Sequence, residues 1–277
     1  MALHRIRDAS LEFMPPDLYF ALTLIVKMAI TAGFVVAATV TAERAGPLVG
    51  GLVATLPLGA GPVYVFLALD HDVQFIAASA VNSLAINMVN VAFALIYALL
   101  AQKRSLPVSL SVAMLAWIAL VWTVKTIQWS VTAAFFANVA VLAVSIALAR
   151  PLRHVKIPPL RTYWYDYALR AAMVATLVGI TVSLSFRIGP GGSGILAVFP
   201  IILISVMLIL HRRVGGKPTA AVMANAVTGL VGFAFACVVL HFAALAFGSA
   251  IGLSLALATS VGWSLAVYSA RRHGVEV

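Results

Sequence analysis

The sequence predicts an all-α, polytopic membrane protein of about nine transmembrane helices, arranged as two four-helix inverted repeats joined by a linker helix. Three observations lead there. Hydrophobic residues make up 63% of the 277 positions, charged residues only 9%, and the mean hydropathy is +1.09. A soluble domain carries about 25% charged residues, so no water-facing surface can be assembled from this composition. The apolar residues are gathered into runs of membrane-crossing length, and the basic residues sort onto one side of them.

A hydrocarbon core of about 30 Å takes roughly 20 helical residues to cross. Suitable runs fall at 18–42, 47–69, 74–101, 107–124, 126–149, 163–186, 190–210, 218–243 and 248–270. Residues 1–17 form a polar segment without the apolar core and cleavage site of a signal peptide, so the first run is expected to stay as a helix. Glu43-Arg44 closes that run, Asp70-His71-Asp72 the second, and Lys103-Arg104 the third. Around Lys125, Trp122 and Trp129 suggest an interfacial turn between the fourth and fifth runs. The stretch from Arg150 to Arg161 ends the fifth, and His211-Arg212-Arg213 ends the seventh. Only Leu245 to Gly248 separates the eighth from the ninth.

Twelve basic residues fall on the side reached after the odd-numbered runs: Arg44, Lys103, Arg104, Arg150, Arg153, Lys156, Arg161, Arg212, Arg213, Lys217, Arg271 and Arg272. Four (Arg5, Arg7, Lys125 and Arg187) fall on the other. The positive-inside rule then puts the amino terminus outside and the carboxyl terminus in the cytoplasm. This distribution accounts for most of the net charge of +10, so no nucleic-acid partner is expected.

Lys27 and Arg170 belong to neither side, and they are 143 positions apart. The same gapless shift aligns Arg44, Gly46 and Pro47 with Arg187, Gly189 and Pro190. Gly51, Pro57, Asn82 and Leu110-Ser111 likewise meet Gly194, Pro200, Asn225 and Leu253-Ser254. Runs 1–4 (18–124) are therefore read as one unit and runs 6–9 (163–277) as a second. Residues 125–162 supply the linker run and a basic cytoplasmic loop. One intervening crossing inverts the second unit, as in many secondary transporters.

The segments Ala42 to Leu58 (AERAGPLVGGLVATLPL) and Phe186 to Ile201 (FRIGPGGSGILAVFPI) give each unit a resemblance to the GlpM-like family of small bacterial inner-membrane proteins. The resemblance implies a multi-pass protein of the bacterial inner membrane and carries no catalytic residues with it. The duplication and the extra helix depart from the single-unit pattern of that family.

Candidate binding residues are the polar and helix-breaking positions inside the runs. Lys27, nine residues beyond Leu18, is expected about 13 Å along its helix, near the midplane. A charge at that depth costs about 2.5–3.5 kcal/mol and normally faces a cavity or partner. Arg170 has Asp166 one turn before it, at ion-pair spacing. Pro57 and Pro200 each remove an amide donor in mid-run, so a kink or a discontinuous helix is expected there. A helix restarting inside the membrane turns its positive end toward the interior, which suits an anion. Asn82 and Asn225 occupy equivalent depths and can bind substrate or join helices.

The glycine-rich stretch Gly189 to Gly194 lacks the Lys-Ser/Thr ending of a nucleotide loop and reads as helix packing. Asp70-His71-Asp72 reads as a solvated turn, and His241 as hydrogen-bonded structure. The lone cysteine, Cys237, rules out a disulfide or a cysteine metal cluster. No nucleophile–base pair or metal constellation emerges, so no cofactor and no enzymatic activity are expected.

The expected function is a secondary transporter or flippase for a small anionic solute or an anionic lipid head group, with membrane lipids as neighbours. A homodimer is compatible with the pattern. The alternative is a non-transporting scaffold or accessory subunit in envelope polysaccharide or lipid synthesis.

Overall fold

The computed structural model describes residues 15–44, 58–153, 155 and 163–272. Among the described residues the chain is all-helical. In chain order the helices are α1 (Pro16–Arg44), α2 (Ala60–Asp70), α3 (Val73–Ala101), α4 (Leu106–Val124) and α5 (Val131–Ala149). After a 3-10 turn at Arg150–Leu152 come α6 (Trp164–Ala197), α7 (Ile201–Val214), α8 (Gly216–Phe247) and α9 (Ser249–Arg272).

The predicted punctuation reappears as caps and turns. Asp72 accepts from the Phe75 amide at 2.9 Å to start α3, and Ser130 does the same for Ala133 at 3.1 Å to start α5. These contacts satisfy amides that a first helical turn leaves without partners. The expected interfacial turn lies between α4 and α5, where the Lys125 ammonium sits 3.4 Å from the Trp122 ring centre. A single residue, Gly248, joins α8 to α9.

Seven stretches among the described residues are long and apolar enough to cross a membrane, and Trp164–Val214 counts as one of them at 51 residues. Such a stretch would span about 76 Å as one straight helix, more than twice a hydrocarbon core. It is not straight. Gly189 adopts φ +64° with Pro190 after it, and the helix is interrupted again from Val198 to Pro200. Only a residue without a Cβ takes the Gly189 conformation cheaply. The stretch thus holds a long helix to Ile188, a short one to Ala197, and α7. α2, with 11 residues, is the remaining short apolar helix, and residues 45–57 of the second predicted run lie outside the described residues. This accounts for the difference from the nine runs expected.

The core is the antiparallel pair α3 and α8. Its contact faces are rich in small side chains, including Ala77, Ala80, Ala94 and Ala98 on α3 and Ala220, Ala224 and Ala244 on α8. Small residues let helices approach closely where burial from water supplies no driving force. α4 and α5 flank α3, α9 flanks α8, and α1 pairs with α6. The outward faces carry Leu115, Trp122, Phe136 and Phe242, each more than half exposed. In water such a surface would aggregate; against lipid tails it is the expected exterior. The chain is a multi-pass membrane protein.

Candidate functional site

The Lys27 ammonium donates to both oxygens of Asp70, at 2.7 and 2.6 Å. The pair is largely enclosed, with side-chain exposures of 12% and 21%. Asp70 is the last residue of α2 and precedes the exposed Asp72 turn. Two expectations are corrected. Lys27 is not an uncompensated positive charge, and Asp70 is not a freely solvated loop residue. Burial explains the pairing, since an enclosed charge without a partner is far costlier than an enclosed pair.

Asp166, expected beside Arg170, reaches further. One carboxylate oxygen accepts from the Tyr163 amide at 2.9 Å, capping α6, and the other takes Arg213 Nη2 at 2.6 Å. The Arg213 guanidinium also lies over the Tyr163 and Tyr165 rings, 4.8 and 5.4 Å from their centres. A second enclosed ion pair thus ties the first turn of α6 to the end of α7. Arg170 is half-buried one turn along α6. The two predicted cations, Lys27 and Arg170, lie on different helices, α1 and α6.

Pro200 stands where expected of a discontinuity: it is the residue before α7, and α6 ends at Ala197. The carbonyls around the break are taken up by polar side chains of α3. Ser79 Oγ donates to Pro190 at 3.1 Å, Ser83 Oγ to Gly194 at 2.7 Å, and Asn90 Nδ2 to Val198 at 2.7 Å. Each bond satisfies a backbone group that lipid could not. Ser83 spends its one proton on Gly194, so the Tyr64 hydroxyl, 2.6 Å away, donates to Ser83. Asn90 Oδ1 in turn accepts from Trp117 Nε1 at 2.8 Å. Gly194 is required by proximity: a Cβ there would collide with the Ser79 carbonyl oxygen. Pro57, the counterpart of Pro200, lies outside the described residues.

Asn82 and Asn225 behave alike, each bonding the carbonyl four residues back, Ala78 and Ala221, at 2.9 and 2.8 Å. Asn82 also lies along the glycine-rich half-helix, with its Oδ1 3.9 Å from the position of a Cβ on Gly191. More central are two residues outside the predicted set. Asn87 Nδ2 donates to Asn138 Oδ1 at 2.9 Å and to the Leu230 carbonyl at 3.0 Å. Asn138, fully buried on α5, donates to Leu84 on α3. Its position mid-way along an apolar helix was the available signal.

His71 follows Asp70 and bonds Ser185 on α6 through Nε2 at 2.7 Å. Ser185 donates to the Val182 carbonyl, so the imidazole is the donor to Ser185. The ring stacks on Phe75 and touches Phe186. Burial lowers its pKa from the usual value, and nearby Lys27 adds to that, against the opposing pull of Asp70 and Asp72. His241 Nδ1 donates to Ala77 at 2.9 Å, in keeping with a structural role.

A cavity of about 450 Å³ opens between α1, α2, α8 and α9. Thr31, Phe34, Tyr64, Phe66, Cys237 and Leu257 are among its lining residues. Lys27 is not among them, although its ammonium stands 5.8 Å from the Phe66 ring centre. No group of three His, Cys, Asp or Glu able to hold a metal occurs among the described residues.

No family model, curated protein or solved structure matches this chain.

Proposed function

We propose that the chain is an inverted-repeat membrane transporter of the flippase type, moving an anionic amphiphile by alternating access between two ion-pair latches. The observation that carries this reading is the register of the two latches. Asp70 and Arg213 are 143 positions apart, the offset read from the sequence, and each lies in the last turn of the short helix of its half. Each binds the first long helix of its own half, through Lys27 in one case and Asp166 in the other. The second latch repeats the first with the charges exchanged and a shift of one turn along the partner helix.

Other observations agree with this reading. The starts of α4 and α9, Leu106 and Ser249, differ by the same offset. Extensive packing joins α3 to α8 and α1 to α6, the pairs the offset makes equivalent. Asn87 bonds Leu230, its own counterpart 143 residues on. Equivalent residues touch only on the axis that relates them. α5 packs against both α3 and α8, as a linker crossing would. Following the chain from the Asp70 turn through successive crossings puts Arg213 at the opposite end of the bundle. One latch then closes each side, the arrangement that rocking of one repeat against the other requires.

The basic residues orient the reading: the Arg213 side is cytoplasmic, and the membrane is a bacterial inner membrane. With Lys27 neutralised, a small free anion loses its expected ligand, and an amphiphile whose tail stays in the bilayer becomes the better cargo. Proteoliposomes with fluorescent phosphatidylglycerol in both leaflets test this, with dithionite bleaching as readout. Asp70→Asn and Arg213→Gln are expected to change the flipping rate at least tenfold, and Lys27→Asp with Asp70→Lys to restore it. Reconstituted protein that flips no anionic lipid overturns the reading and favours the scaffold alternative.

A further inference from the structure

We infer that the cavity between α1, α2, α8 and α9 is a binding site for one hydrocarbon chain of a membrane lipid. The inference rests on the flippase reading only in taking that lipid to be the cargo.

The size is right for a ligand and wrong for a packing defect. Ligand pockets run from about 300 to 1,000 Å³, and voids left in packed interiors are seldom larger than a water molecule. This one holds about 450 Å³. Water is a poor occupant, because it needs two or more polar partners and every hydroxyl on the wall is already committed. Thr31 donates to Lys27 carbonyl oxygen at 2.9 Å, and Ser254 to Ala250 at 2.9 Å. The Tyr64 hydroxyl is consumed by Ser83. The remaining wall is aliphatic, aromatic or the Cys237 thiol.

The mouth names the occupant. Ile30, Phe34, Val65 and Leu257 line the cavity and are also 44–58% exposed on the outer surface of the bundle. α1 and α9 are membrane-crossing helices, so what lies against these side chains is lipid tail. A chain can enter sideways without leaving hydrocarbon. Phe66, under the Lys27 ammonium, forms the polar end, where a head group would meet the first latch.

The two halves of the molecule differ at this place. α4 packs on α7 as α9 packs on α2. On the α4–α7 side the protein fills its own gap: Trp117 is 6% exposed, stands 5.1 Å from the Phe199 ring, and is anchored by Asn90. At the offset of 143 the positions of Trp117, Leu203, Ile204 and Asn90 are taken by Ser260, Ala60, Gly61 and Phe233. The indole and its hydrogen bond are absent from one side alone, where Phe233 lines the cavity in place of Asn90. A void maintained without an occupant would cost stability.

The test uses the full chain in nanodiscs containing phosphatidylglycerol or a polyprenyl phosphate, each with a diazirine in its chain. Photolysis is expected to enrich crosslinks in peptides covering 30–34, 60–66, 233–240 and 253–257 at least tenfold over the lipid-facing surfaces of α4 and α5. Ala236→Phe and Ala256→Phe, made separately, should each abolish that enrichment. In the unaltered chain in detergent, added lipid should slow alkylation of Cys237 at least fivefold. Crosslinks spread evenly over the exterior, or Cys237 reactivity indifferent to lipid, overturn the inference. Flipping that persists in the absence of cavity crosslinks removes this site and leaves the transport reading intact. Cavity crosslinks without flipping do the reverse.

Discussion

Asn90 shows how one side chain decides whether an interrupted helix is tolerable. Its amide takes the Val198 carbonyl and the Trp117 indole at once, both buried where lipid offers no substitute. Asn90→Leu leaves both orphaned and is expected to lower stability by about 1–3 kcal/mol, read as an earlier midpoint in detergent unfolding. His71 makes a different prediction. Its folded pKa is lowered, so the unfolded chain binds the proton first as pH falls. Stability should therefore be intact above about pH 6.5 and decline below it, until the folded-state pKa is passed. Melting curves between pH 5 and 8 check this, and His71→Gln should flatten the dependence over that window. Lys27 was legible as a residue needing a partner, but the partner was not. Asp70 is 43 positions away, and no helical period links them. Ser83 was equally mute, since the Gly194 carbonyl it serves is 111 positions distant.

Among the elements, the broken α6–α7 stretch was the most readable, because proline and glycine act on the backbone wherever they stand. Pro200 announced one interruption without knowledge of any neighbour, whereas the break at Gly189 fell in a stretch read as helix packing. What the sequence left out is the reason the interruptions are stable, which resides in α3. Gly194 is the hinge of that argument, and its substitution separates packing from mere helix propensity. Gly194→Ala would drive a Cβ into the Ser79 carbonyl, whereas a Cβ at Gly229 meets nothing within 4 Å. Gly194→Ala is expected to cost about 1–3 kcal/mol, and Gly229→Ala to be neutral or to gain up to about 1 kcal/mol. Thermal unfolding of the two proteins side by side measures the difference. Asn138 makes the same point for α5, whose polar residue reveals that this helix is clamped to α3 through Asn87 and Leu84.

For the whole molecule, composition alone gave the solvent, and the sorting of Lys and Arg gave an orientation that can be checked directly. Gln74 and Lys217 are both exposed, near the starts of α3 and α8. Cys237 is the chain's one cysteine, so the unaltered chain labelled in parallel sets the background. On intact cells an impermeant maleimide should label Gln74→Cys and spare Lys217→Cys until the membrane is opened. Labelling of both from outside would contradict inverted halves.

On the inverted-repeat reading proposed above, the helix between the halves has a consequence for assembly. Two unfused copies with opposed orientations would have to insert both ways in balanced numbers, at the mercy of a few charges. With α5 in the chain, one ribosome delivers the pair in a fixed one-to-one ratio. Each half is then free to diverge, one keeping its indole and the other trading it for empty space.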